Sequence, residues 1–392
     1  MNTQTPLPAR LRAILEQTYP HFSALEMARR RQLLVDAMVK AGVDTLLVCG
    51  ENRAGGGVAW LTGWPVTSEG YVVFDGKRRD TMFVQYHNHV PLAKRIALDT
   101  DVDWGGPSTI EALAAELDRR GAKRIGIMGP MSAPKQKQLG SRFDLVEMGA
   151  AYVRMRVIKS AEEIDWVRIG AWLSDRAIFA LGREMHSGLS ERDLWRITED
   201  AYVGEGGITA IHYFGTTSMA APDLCVPAQY PSAKRIAAGD VVFTEISAAF
   251  WDYPGQVLRS FTIEADPTPL YQDLYQTAEA ALKSILDVVR AGATLASLVD
   301  ASSLIEQAGF TTCDDLVHGY VGGYGPPVLG SRSRPAGPIP DERLQSGMML
   351  VIQPNVVTRD GSAGVQVGEL IAVTDTGFER MHAAPAEFLR VG

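Results

Sequence analysis

The sequence predicts two domains, an α/β domain over residues 1–157 and an α+β domain over residues 158–392. Three observations carry this reading. The chain has 392 residues, about two domains' worth at ~150 residues each. Its first half alternates short apolar runs with amphipathic helical patterns, as a sheet covered by helices requires. After Ser160 and Glu163, a capping-box spacing, the pattern changes to long helices separated by paired strand runs.

The elements follow in order. Residues 25–41 carry helical spacing, and Thr45, Leu46, Leu47, Val48 and Cys49 form a buried-strand run. Further strands are expected at 71–74, closed by the turn Asp75–Gly76, and at 81–86. An amphipathic helix at 109–120 precedes a strand at 124–128. Residues 151–164 read as the join between domains, and the helix opened by Ser160 runs to about His186. Beyond it, helices are expected at 189–204, 270–290 and 294–308, with a strand pair at 241–246 and 257–263. The stretch 322–340, rich in Gly, Pro, Ser and Arg, is long for a plain connection and points to a functional loop.

Composition removes several classes. A chain that is 46% hydrophobic and 21% charged is neither disordered nor a coiled coil. The net charge of -8 disfavours nucleic acid as a partner, because phosphates call for clustered Lys and Arg. No apolar run has the length of a membrane span, and no signal-peptide pattern opens the chain. Three widely spaced cysteines, Cys49, Cys225 and Cys313, fit a reduced, cytoplasmic protein. The partner expected is therefore a small-molecule substrate.

GxSxG, HExxH and GxxxxGK[ST] are all missing. The glycine-rich run 50–57 follows a strand but lacks the Lys-Ser/Thr of a phosphate loop, and reads as a turn. His87 and His89, two apart, would share one face of a strand as a metal pair, or lie on a solvent-facing loop.

Five segments in order carry a family resemblance: RMRVIKSAEEI, VVFTEISAAFWDYPGQVLRSF, LVHGYVGGYGPP, GMMLVIQPNVV and GVQVGELIAVT. Together they resemble the pita-bread superfamily of methionine aminopeptidase, prolidase and creatinase, over essentially the whole chain. The resemblance implies a creatinase-like N-terminal domain and a pita-bread C-terminal domain. In metal-dependent members two Asp, one His and two Glu hold two divalent ions. Here those positions fall on Glu245, Gln256, His318, Gln353 and Gly368. Four carboxylates are reduced to one, and a carboxamide is a weak neutral ligand. Glu369 points to the opposite strand face from Gly368. Two further family histidines fall on Asp223 and Gly325.

That pattern is most similar to the metal-free creatinase and ectoine hydrolase members. It implies a metal-independent, non-peptidase hydrolase of a carbon–nitrogen bond in a cyclic amidine, guanidino compound or amide, with no metal and no cofactor. Glu245 is expected as nucleophile or base, His318 as acid, and Asp223 as a third catalytic group. Gln256, Gln353 and Tyr324 are expected to contact substrate, with Arg259 as a brace or a further contact. Two alternatives stay open: a metal-dependent Xaa-Pro-type peptidase or lyase with an irregular site, and a catalytically silent binder of a ligand or partner. The resemblance also implies a homodimer in which the N-terminal domain lids the partner's pocket. Trp64, His87 and His89 are the contacts expected from that lid.

Overall fold

A computed structural model describes residues 5–51 and 56–392. The glycine run read as a turn lies partly outside the described residues. The chain forms two compact units, one of residues 17–156 and one of residues 157–392 joined by the segment up to Glu16.

The first unit holds six strands, β1 (Thr45–Glu51), β2 (Glu69–Phe74), β3 (Asp80–Val84), β4 (Thr100–Trp104), β5 (Arg124–Met128) and β6 (Asp144–Glu147). They lie in the order β4-β3-β2-β1-β5-β6. Both faces are covered, so the central strand β1 reads as an unbroken apolar run. Leu46 and Val48 pack with Leu34 and Met38 of the helix Ala24–Ala41. Leu47 and Cys49 pack with Leu113 and Leu117 of the helix Thr109–Arg120. The two sets alternate because neighbouring strand residues point to opposite faces. Strands β4 and β6 were not legible from sequence. They are short edge strands whose charged residues break the apolar pattern.

In the second unit the Ser160–Glu163 capping box opens the helix Ala161–Glu184. It lies on a hairpin formed by β8 (Asp240–Phe250) and β9 (Tyr253–Ile263), with β7 (Ile208–Ser218) on the far side of β8. Glycine makes this close approach possible. A Cβ at Gly170 would lie 2.2 Å from the Tyr253 carbonyl oxygen, and one at Gly255 would lie 2.3 Å from the Ala171 backbone. Ser174 ties the same layer, donating to the Gly255 carbonyl at 2.5 Å and accepting from the Ala248 N–H at 2.9 Å.

The remaining strands are β10 (Thr311–Thr312), β11 (Val317–Tyr320), β12 (Tyr324–Leu329), β13 (Met349–Ile352), β14 (Val356–Val357), β15 (Gly368–Val373), β16 (Phe378–Arg380) and β17 (Leu389–Val391). The large sheet runs β12-β11-β13-β15-β9-β8-β7, with β16 beside β15 and β17 beside β9. The helix Pro269–Val288 buries Leu274, Ala278, Ala281 and Ile285 in the core beside it. The helix expected over 294–308 is two helices, Leu295–Ala301 and Leu304–Gln307. Ser302 at the break turns its hydroxyl back onto the Val299 carbonyl, at 2.7 Å, a local bond that competes with helix continuation. Strand β7 was missed because Thr, His and Gly interrupt its apolar positions. Among the described residues, no helix is long and apolar enough to cross a membrane.

Candidate active site

The site grows from β8 and β9. Every residue of β8 is buried except Glu245, which alone keeps an opening to solvent. Glu245 and Ser247 share one face, and Leu258 and Gln256 stand opposite them on β9. The Gln256 Nε2 donates to Glu245 Oε1 at 2.6 Å. On the other flank of Glu245, β7 presents Tyr213.

Leu258 is also paired with Gly368, the first residue of β15. A Cβ at Gly368 would meet Leu258 Cδ1 at 2.8 Å and Gln353 Cβ at 3.0 Å. Gln353 follows β13, its side chain donating to the Asp315 carbonyl at 3.0 Å. His318 lies on the adjoining β11 and is 2% exposed. Its Nδ1 faces the Gly319 carbonyl at 3.0 Å, which assigns the proton to Nδ1 and leaves Nε2 as an acceptor. The five positions read from sequence thus form one connected patch.

The electrostatics bear on the roles expected of the two ionisable groups. Burial pushes the Glu245 carboxyl up to about 8, with the charge of Asp314 adding to the effect. Burial lowers the pKa of His318. At neutral pH, Glu245 therefore carries a proton and can donate it, whereas His318 is neutral and can accept one. These directions are opposite to the protonation that Glu245 as base and His318 as acid would need.

The residues do not fit a pair of divalent ions. Leu258 and Gln353 have closed over the place where a side chain at Gly368 would project. Gln256 is committed to Glu245, and Gln353 to the Asp315 carbonyl. Glu369 faces away, holding Arg380 at 2.8 Å and Arg259 at 3.3 Å. Among the described residues, no group of three or more His, Cys, Asp or Glu is placed to hold a metal ion.

Other expected residues fall differently. Asp223 sits on an exposed turn, accepting from Thr217 Oγ1 at 2.6 Å, which lowers its pKa together with the charge of Lys234. It is a solvated turn carboxylate, not part of the buried patch. Arg259 is buried and braces the segments around it. It donates to the carbonyls of Leu258, Gly368, Ala384 and Pro385 and pairs with Glu369. Tyr324 stands at the rim, 60% exposed, with its ring centroid 4.7 Å from that of His318 and its hydroxyl on Asp315.

The three residues expected from a lid lie in the first unit. Trp64 is buried in that unit's core, which corrects its assignment as a surface contact. His87 and His89 lie on a 3-10 turn, not a strand, so their rings part: His87 packs on Trp104 and His89 on Trp64.

Sequence reasoning missed a second set of residues. Asp314 is raised to about 6 by burial, against the pull of the Asn355 amide that donates to it at 2.8 Å. Gln366 lies against the same carboxyl. Behind Gln256, His382 bridges the Asp175 carboxylate at 2.9 Å and the Gln256 carbonyl at 2.8 Å. The nearest signal for the first group was the Asp314–Asp315 pair four residues before His318. Asp175 is 207 positions from His382 and left no local trace.

The sequence profile of metallopeptidase family M24 matches residues 165–375. An Xaa-Pro dipeptidase of Pyrococcus furiosus is 25% identical over 93% of this chain and 100% of its own length. The Xaa-Pro dipeptidase of Pyrococcus horikoshii is 22% identical over 93% of this chain and 99% of its own. Among solved structures, an X-Pro aminopeptidase from Thermotoga maritima superposes with a TM-score of 0.79 at 18% identity, covering 92% of this chain and 99% of that one. The prolidase from Pyrococcus horikoshii gives 0.75 at 21% identity, covering 92% and 100%. The two-domain pita-bread fold expected from the sequence is that of these structures.

The relatives overturn the expected activity. Whole-length similarity leads to proteins named as Xaa-Pro peptidases, not to a metal-independent hydrolase of an amidine or guanidino compound. That expectation rested on four exchanged metal-ligand positions and two exchanged histidines. The similarity extends over nearly the entire chain.

Proposed function

Since the chain belongs to metallopeptidase family M24, a family of hydrolases, we propose that it acts on a short peptide of the Xaa-Pro type in the cleft around Glu245. One observation supports the reading beyond family: the only open residue of β8 is a carboxyl raised by burial, and the same patch of positions includes His318, buried and lowered by burial. Cleavage needs a proton taken from water and a proton given to the departing nitrogen. His318 Nε2 takes the first as the water oxygen attacks the carbonyl carbon. Glu245 gives the second as the carbon–nitrogen bond of the peptide breaks. Gln256 holds Glu245 in place, and Tyr324 borders the entrance.

The exchange of three metal-ligand carboxylates for Gln256, Gln353 and Gly368 favours one second reading, in which the same peptide is bound without being cleaved. Release of proline from alanyl-proline and glycyl-proline, with and without added Mn, Co or Zn, tests the first reading. Turnover that Glu245→Gln abolishes supports it. Thermal stabilisation by the dipeptides without turnover selects the second, since a ligand stabilises the state it binds. Neither turnover nor stabilisation removes both. Cytoplasmic residence and a homodimer lidded by His87 and His89 complete the proposal, and sedimentation of the purified protein as a monomer would remove the dimer.

A further inference from the structure

Two cysteines that lie 88 positions apart in sequence, Cys225 and Cys313, meet in the second unit. The strand register shows how. Thr311 of β10 pairs with Val357 of β14, and Val357 in turn stands opposite Gly364. Residues opposite one another share a face, as do residues two apart along a strand. Cys313, leaving β10 two residues after Thr311, therefore continues the face of Val357 and Gly364. The segment after β7 reaches that same face. Leu224 bridges Ala363, and the Cys225 backbone then crosses over Gly364. A Cβ at Gly364 would stand 2.3 Å from the Cys225 carbonyl oxygen and 2.8 Å from Val357 Cγ1, so glycine is what admits the cysteine there. The two thiols come within hydrogen-bonding reach of each other.

The two thiols are unequal. Cys313 is exposed and Cys225 half-buried. Burial, with the Cys313 thiol and the charge of Asp314 beside it, raises the pKa of the Cys225 thiol. A thiol kept protonated is a slow nucleophile, so the first attack on an oxidant falls to Cys313 and the second to Cys225. Cys49, 0% exposed on β1, is closed to an oxidant.

We propose that Cys225 and Cys313 form a redox modification site, closing a reversible disulfide when a hydroperoxide reaches Cys313. The Cys313 thiolate sulfur attacks a peroxide oxygen and the O–O bond breaks, giving a sulfenic acid and an alcohol or water. The Cys225 sulfur then attacks the sulfenic sulfur. The S–O bond breaks, the S–S bond forms, and water leaves with the Cys225 proton. The two thiols together give up two electrons and two protons, all taken by the hydroperoxide. Two equivalents of a small thiol return them and reopen the bond. The closed bond ties the loop after β7 to the chain that runs into β11, the strand of His318. Asp314, next to Cys313, acts by its charge on Glu245, so the bond lies against the site whatever ligand the cleft takes.

Full-length protein treated with hydrogen peroxide, blocked with a maleimide and mapped by mass spectrometry tests the proposal. The expected result is a link between the peptides of Cys225 and Cys313 within one chain, an intact mass lower by two hydrogens, and free thiols falling from three to one. Dithiothreitol should restore all three. Cys225→Ser should lose the link and hold a sulfenic acid at Cys313 that dimedone captures, and Cys313→Ser should lose both. Oxygen added to Cys313 of the unaltered protein without a link overturns the proposal, as does a link between two chains or one to Cys49. Three thiols that survive the peroxide overturn it as well. Should either variant fail to fold, the peptide map of the unaltered protein decides alone.

Discussion

Replacing Glu245 by Gln keeps the shape of the side chain and the bond from Gln256 but removes the proton equilibrium. The carboxyl sits near 8 in the folded chain, against an ordinary value of 4.5. Its folded pKa is raised, so its contribution to stability is fully present below 4.5 and is lost as pH climbs through 8. Each unit of separation corresponds to about 1.4 kcal/mol, and at pH 7 roughly two and a half units of the difference are expressed. The native protein at pH 7 is therefore weakened by about 3 kcal/mol relative to strongly acidic conditions through this one group. Glu245→Gln should recover that amount. The gain should shrink toward zero below pH 4.5 and correspond to ~6–12 °C in Tm at pH 7. Guanidinium unfolding of both proteins at several values between pH 4 and 9 measures it. Parallel curves for the two proteins would refute the claim that a neutral carboxyl is buried on β8.

Other perturbations have equally direct readouts. Arg259→Met should cost on the order of 3–5 kcal/mol, because it leaves Glu369 short of a partner and strips donors from several carbonyls. A loss below about 1 kcal/mol in denaturant titration would contradict the bracing role. Gly368→Glu should destabilise by about 1–3 kcal/mol, through crowding against Leu258 and Gln353, and should add no metal. Stoichiometric Mn in that variant by elemental analysis would show that the closed position can reopen. His382→Leu strands the Asp175 carboxylate beside the Ala383 N–H and should cost on the order of 3 kcal/mol. A variant as stable as its parent would remove His382 from the support behind Gln256.

Much of the fold was legible because its central elements obey local rules. Ser160 and Glu163 announce the helix they open, and the run from Thr45 to Cys49 is continuously apolar because both its faces are covered. Edge strands such as Asp144–Glu147 mix charge with apolar residues and carry no such signature. Within the site, Glu245, Gln256, His318, Gln353 and Gly368 could be placed by their segments, and the structure brings them into one patch. Their protonation could not be placed. The proposed donor role of Glu245 and acceptor role of His318 depend on burial and on a bond to the Gly319 carbonyl, both products of tertiary packing. Asp223 misled for a similar reason: its segment matched, but its side chain satisfies itself on Thr217 in solvent. Asp314 was invisible because what sets it apart, a carboxyl raised by burial, is a product of tertiary packing.

The central claim is that Glu245 is the proton donor for cleavage of a short Xaa-Pro peptide. The rate of proline release from alanyl-proline across pH 5 to 9, for the native protein and for Glu245→Gln, tests it most directly. The account predicts activity in the native protein that falls as pH rises through about 8, and at least a hundredfold loss in the variant. Undiminished turnover by Glu245→Gln, or activity that climbs steadily above pH 8, would contradict it.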